Sequence, residues 1–258
     1  MTRVRMILQY DGTGYEGWQR QLTGLGVQQV VEEEIERLTG EKTVVHASGR
    51  TDSGVHALAQ VAHFDTASRI PPEKFAYALN AGLPRDIRVA YSDEAEGFHA
   101  RFDVLKKHYR YRLQHSPHAD PFTRNTALHV YGALDVEAMN EAARAILGQR
   151  DFAAFRASGI EPESTVRTIY ESRWTDAGRL VTYDIAGSGF LYNMVRILAG
   201  TMAEIGMGRR GVSSMQKALA SGLRSDAGPT APAAGLVLTR VEYRNFDTKE
   251  FIPCQTYW

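Results

Sequence analysis

The chain has 258 residues, 43% hydrophobic and 23% charged, the balance of a soluble globular protein large enough for one big domain or two smaller ones. Thirty basic residues meet thirty acidic ones, so a nucleic-acid partner would require the positive charge to gather on one face. A single cysteine, Cys254, excludes an internal disulfide framework and a multi-cysteine zinc site and fits a reducing, cytoplasmic setting; no run of about 18 apolar residues could span a membrane, and the first residues run into a strand pattern without a signal-peptide core.

Residues 4–10 alternate, with Val4, Met6, Leu8 and Tyr10 on one face and only Ile7 out of step, which predicts a half-buried strand ended by Asp11-Gly12-Thr13-Gly14. Val27, Val31, Ile35 and Leu38 recur at helical spacing and Gly40 closes that helix. Strands are expected at 43–48 and 60–65, a short helix from the prolines at 71 and 72 to Asn80, and a strand at 86–91. The same order returns in the second half. A strand at 107–113 leads to a helix capped by Asp135 and stopped by Gly148. A hairpin of 168–174 and 179–185 follows, then helices at 191–205 and 213–220 and a last strand at 236–243. Residues 221–234 read as a surface loop. The pattern predicts an α+β protein of two tandem ferredoxin-like (βαββαβ) units with mostly antiparallel sheets, spanning 1–104 and 105–246, with a patternless tail at 247–258.

Between the second and third strands lies Gly49-Arg50-Thr51-Asp52-Ser53-Gly54-Val55-His56-Ala57. Glycines permit a tight turn and close approach of a ligand. An arginine two residues from an aspartate suggests a local ion pair that keeps the carboxylate ionised, fit to act as base or nucleophile. The plainer alternative is a turn whose aspartate only bonds its own backbone. A second chemical stretch is Arg101 to Arg112, with five basic residues, Arg101, Lys106, Lys107, Arg110 and Arg112, against Asp103. As a strand it puts Lys107, Tyr109 and Tyr111 on one face and His108, Arg110 and Arg112 on the other, the mixture of cations and rings that RNA surfaces use. The alternative is buried tyrosines beside a solvated charged face.

These segments resemble the tRNA pseudouridine synthase A family. The Gly-Arg-Thr-Asp-Ser-Gly-Val-His-Ala stretch is joined, in order, by Tyr10-Asp11-Gly12, Gly17-Trp18-Gln19-Arg20-Gln21, Asn80-Ala81-Gly82-Leu83-Pro84, Phe98-His99-Ala100-Arg101-Phe102 and Tyr109-Arg110-Tyr111. Asp151-Phe152-Ala153-Ala154-Phe155, Met194-Val195-Arg196 and Ala234-Gly235-Leu236 complete the set. The resemblance runs from about residue 4 to 243. It implies a pseudouridine-synthase fold and an isomerase that converts uridine to pseudouridine in the anticodon stem-loop of tRNA, at tRNA positions 38, 39 and 40. It implies a homodimer, and no cofactor or metal. Asp52 matches the essential carboxylate, Tyr109 the tyrosine that packs on the uracil, and Leu236 an active-site leucine. Arg50 is expected to orient Asp52 and to fill the gap left by a flipped base.

Arg20, Arg101, Lys106, Lys107, Arg110 and Arg196 are candidate RNA contacts. Arg3, Arg5, Arg209 and Arg210 are weaker ones, with a solvated surface charge the plainer reading for the last two. His46, His56 and His63 lie near the motif, but nothing at a recognisable spacing completes a metal site, and His56 reads as a satisfied turn histidine. Two other readings stay open: a non-catalytic RNA-binding protein, and a hydrolase pairing Asp52 with Asp65 or Asp103.

Overall fold

The computed structural model describes residues 1–159 and 161–252; Ile160 and residues 253–258, which include Cys254 and the end of the tail, lie outside the described residues. The chain divides into two compact units, 1–105 together with 237–258, and 106–236.

In the first unit the elements are β1 (Thr2–Tyr10), α1 (Val27–Thr39), β2 (His46–Ala47), β3 (His56–Thr66), α2 (Phe75–Asn80) and β4 (Ile87–Glu94). β1 lies between β4 and β3, and β2 pairs with β3, every pairing antiparallel. This is the strand order of a ferredoxin-like unit. The alternation read in β1 is real, because Val4, Met6, Leu8 and Tyr10 are buried; Ile7 is buried too. On β3, Phe64 meets Phe75 of α2 edge to face at 5.3 Å. α1 ends as expected, with Gly40 left-handed at φ 76° and its N–H bonded to Glu36 O. The strand expected at 43–48 shrinks to two residues because Val45 donates its N–H to the Glu32 carboxylate instead of to a strand.

The second unit holds β5 (Lys106–His115), β6 (Leu128–Val130), α3 (Val136–Arg144), β7 (Gly148–Asp151), β8 (Val166–Asp176), β9 (Leu180–Gly187), α4 (Met194–Gly206) and α5 (Ser213–Ser221). Its sheet runs β5-β9-β8-β7, antiparallel, with β6 added parallel to β5. The core is aromatic: Trp174 stacks on Tyr183 at 4.7 Å and turns its indole N–H to the Met202 sulfur. Asp135 caps α3 through the Ala138 N–H, as its position predicts. β6 and β7 were not expected, and Gly148, at φ 83°, opens β7 rather than stopping the helix.

β10 (Leu236–Glu242), expected to close the second unit, is counted from Val237 onward with the first. There Val237 and Leu238 pair in parallel with His56 and Ala57. The tail is not patternless either. Phe246 stacks on Phe251, Phe251 lies 4.1 Å from the Tyr91 ring, and the Arg5 guanidinium sits 3.6 Å over Phe246. Thr248 and Ile252 are buried with them.

Candidate active site

The glycine-bracketed turn is held from two sides within the first unit. Its backbone closes on itself through Val55 N–H to Asp52 O (3.1 Å), with Gly54 left-handed at φ 77°. The loop after β1 then grips it: Trp18 N–H donates to Thr51 O (3.1 Å), Gly54 N–H to Tyr15 O (3.2 Å) and the Ser53 hydroxyl to the same carbonyl. Contact is close enough to require glycine on the gripping side. A Cβ on Gly17 would fall 2.4 Å from Thr51 O, and one on Gly12 would fall 2.1 Å from Val55 O. Asp52 is half-buried in this frame. From inside, Tyr10, Gln60 and Ser48 bond the residues that precede it. His56 is fully buried and accepts the Gly12 N–H at Nδ1 (3.0 Å).

The expected Arg50–Asp52 ion pair is not formed. Arg50 is exposed and, among the described residues, has no ion-pair partner. Neighbouring residues in a turn diverge, and the side chain takes solvent instead. Several other cations proposed for phosphate are tied into the fold. Arg3 makes a two-pronged bond to Asp65 at 2.8 Å for each prong, and Arg5 pairs with Asp93. Arg20 pairs with the nearly buried Glu32 at 3.1 Å, and Arg210 with Glu204. Arg101 stays exposed. Neither acid offered as a partner for Asp52 stands idle: Asp65 is held ionised by Arg3, and Asp103 accepts the His99 N–H at 2.6 Å. His46, His63 and His99 gather ring to ring, yet backbone N–H groups occupy Nδ1 of His63 and of His99. Among the described residues no cluster of histidine, cysteine or carboxylate side chains is arranged for a metal ion.

In the second unit, β5 carries Tyr109 opposite Ile185 and Tyr111 opposite Tyr183. Both rings are buried. Tyr111 is core, its hydroxyl donating to Pro232 O, while Tyr109 keeps 9% of its surface open and meets Phe190 edge to face at 5.3 Å. Arg110 pairs with Asp184 (2.8 Å). The Lys106 ammonium lies 5.1 Å over the half-exposed Tyr170 ring, and Lys107 is half-buried beside it in sequence. Arg196, on the first turn of α4, is fixed by Ala231 O at Nε (2.8 Å) and by the Asn193 side chain at Nη1 (2.7 Å). Leu236 is 4% exposed at the entrance to β10.

Two residues of this unit escaped the sequence reading. Asn193 is the one non-glycine residue with positive φ (60°) among those described, and backbone held in that region tends to serve a site. Phe190 rests against Gly187, where a Cβ would stand 3.1 Å from its ring. The signal for both was the Gly-Ser-Gly-Phe run before the helix, which ends the periodic pattern early.

The sequence model described as tRNA pseudouridine synthase matches residues 6–103 and 142–244. Proteins named tRNA pseudouridine synthase A are similar over nearly all of the chain. That of Geobacter sulfurreducens is 46% identical over 94% of this chain and 100% of its own length. That of Syntrophotalea carbinolica is 46% identical over 97% and 100%, and that of Geotalea uraniireducens 44% identical over 94% and 100%. With the carboxylate turn and the α4 arginine both inside the matched segments, the chain belongs to the tRNA pseudouridine synthase family, isomerases that convert uridine to pseudouridine in tRNA.

Proposed function

We propose that this synthase acts on the 3′ side of the anticodon stem-loop, at tRNA positions 38, 39 and 40, with Asp52 as the reacting carboxylate and a homodimer as the working form. The observation that carries the reading is the Asp52 turn: a half-buried carboxylate on backbone gripped by Gly12, Gly17 and Trp18. Pre-organised geometry of this kind is what a reacting group needs. In the isomerisation the N1–C1′ bond of a uridine breaks and a C5–C1′ bond forms. The C5 hydrogen leaves as a proton and N1 gains one, so no oxidant, reductant or cofactor is needed for balance. Asp52 takes part either at C1′, at C6 of the base, or as the base that removes a sugar proton.

A stem-loop uridine must first leave its stack, at a cost of a few kcal/mol. Tyr109 is the ring proposed to pack on the freed uracil, worth roughly 1–3 kcal/mol, with Leu236 as a further apolar contact. Arg50, exposed beside the carboxylate in sequence, is proposed to fill the vacated place in the stem rather than to pair with Asp52. Arg20, Arg101, Lys106, Lys107, Arg110 and Arg196 are the proposed phosphate and sugar contacts, several of them already steadied by a carboxylate or carbonyl.

The test is tritium release from tRNA carrying 5-[³H]uridine, with wild type and Asp52→Ala compared and the modified positions mapped afterwards. Label leaves only as C5 forms its new bond. Release by the wild type confined to the anticodon stem-loop, with none from Asp52→Ala, is expected. Release by the variant would remove Asp52 from the chemistry; modification elsewhere in tRNA would overturn the site assignment.

A further inference from the structure

In the middle of β3, between Ala59 and Val61, both wholly buried, stands a wholly buried glutamine, Gln60. An amide there is costly to bury unless every polar atom finds a partner. Every one does, and all the partners converge on one place. The Gln60 NH₂ group donates to Gly49 O (2.9 Å) and toward the Tyr10 hydroxyl (3.4 Å), while its carbonyl accepts the Ser48 hydroxyl (2.7 Å). The Tyr10 hydroxyl lies 2.9 Å from Thr51 Oγ1. Either hydroxyl can donate in this contact. Burial pushes the Tyr10 phenol up to about 12, so it keeps its proton at neutral pH. Ser48, Gly49 and Thr51, three of the four residues ahead of Asp52, are thus tied to β1 and β3 by two buried side chains; the fourth, Arg50, faces solvent.

We propose that Tyr10 and Gln60 are positioning residues for Asp52, acting through the Thr51 hydroxyl and the Gly49 carbonyl to set where the carboxylate stands. The inference rests on the reading of Asp52 as the reacting group. A glutamine and a tyrosine in the core add nothing that leucine and phenylalanine would not supply more cheaply; what they add is one fixed path for the chain into the turn.

The experiment compares Tyr10→Phe, Thr51→Val, their double variant and Thr51→Ser in the tritium assay, with amide hydrogen exchange on the free protein. Loss of one tether lets the turn drift by a fraction of an ångström. Tyr10→Phe and Thr51→Val are each expected to lower kcat about tenfold with KM within twofold of wild type. The double variant should be no worse than either single one, because both delete the same bond, and Thr51→Ser should restore turnover. In Tyr10→Phe the Trp18 and Val55 amides, which close the turn, should exchange at least fivefold faster, while the β1–β3 ladder stays as in wild type. A kcat within twofold of wild type, losses that multiply in the double variant, or unchanged exchange at those two amides would each overturn the assignment. Tritium release by Asp52→Ala would instead sink the role of the carboxylate, and the exchange result would still decide whether the network holds the turn.

Discussion

Replacing Gly17 by alanine separates the grip on the Asp52 turn from ordinary backbone strain. Gly17 sits at φ 84°, where an L-residue pays about 1–2 kcal/mol. Its missing Cβ would also stand 2.4 Å from Thr51 O and 3.0 Å from the Asp52 carbonyl carbon. An ordinary carbon–oxygen contact is longer by roughly 1 Å, and the obstructing atoms are backbone, so the turn itself has to move. A displacement of about 1 Å at a reacting group can cost on the order of 10²-fold in rate. Gly97 supplies the control, because it has a similar φ of 69° with nothing near its absent Cβ. Gly97→Ala should lose about 1–2 kcal/mol in urea unfolding, and Gly17→Ala more, because the turn must also yield to the added methyl. Gly17→Ala alone should lose about a hundredfold in kcat for tritium release. Gly12→Ala, strained by contact with Val55 and not by φ, should resemble Gly17→Ala in turnover. Equal turnover for Gly17→Ala and Gly97→Ala, at matched folded fractions, would refute the idea that close approach of this loop sets the carboxylate.

The remaining predictions concern single side chains. Arg50→Ala should leave urea stability within about 0.5 kcal/mol of wild type, since the side chain is exposed and unpaired, yet lower turnover strongly while tRNA is still retained on a filter; turnover near wild type would remove Arg50 from base displacement. Tyr109→Phe keeps the ring and should cost only a few-fold in kcat, whereas a loss near that of Asp52→Ala would make the hydroxyl an acid–base group. His63 is pushed down to about 4, first by burial and then by Arg3, His99 and His46, with Asp65 opposing them. The unfolded chain therefore binds the proton more readily between pH 6.5 and 4, and stability present above that window is lost as pH falls through it. Between pH 7 and 5 the loss should be on the order of 2 kcal/mol, read as a falling urea midpoint, and His63→Gln should flatten that slope.

How much of this was legible depends on the range of the interactions. The Asp52 turn could be read because glycine and polar residues interrupt two apolar strands, a purely local signal. α1 and α3 were legible for the same reason: the repeats of Val27, Val31 and Ile35, the Asp135 cap and the Gly40 stop are all short-range. β7 left no trace because each of its four residues, Gly-Gln-Arg-Asp, is exposed and no alternation arises. Arg3 and Arg5 looked like outward arms for phosphate, since their carboxylate partners lie 62 and 88 residues away. The links from Tyr10 to Thr51 and from Gln60 to Gly49 were hidden in the same way. The tail was opaque because its packing is aromatic and cationic, Phe246 under Arg5 and Phe251 against Tyr91, with no period to count. The Arg50–Asp52 pair failed for the opposite reason: closeness in sequence does not make two turn side chains point the same way.

The first unit is made from both ends of the chain, and this has a consequence during synthesis. The partners of His56 and Ala57 on β10 leave the ribosome only after residues 106–236 have been made, a delay on the order of ten seconds. Until then the start of β3, and the Tyr91 ring that Phe251 later meets, wait without their cover. A nascent chain arrested before residue 237 would expose strand edge and aromatic surface together, the combination that recruits chaperones or seeds aggregates.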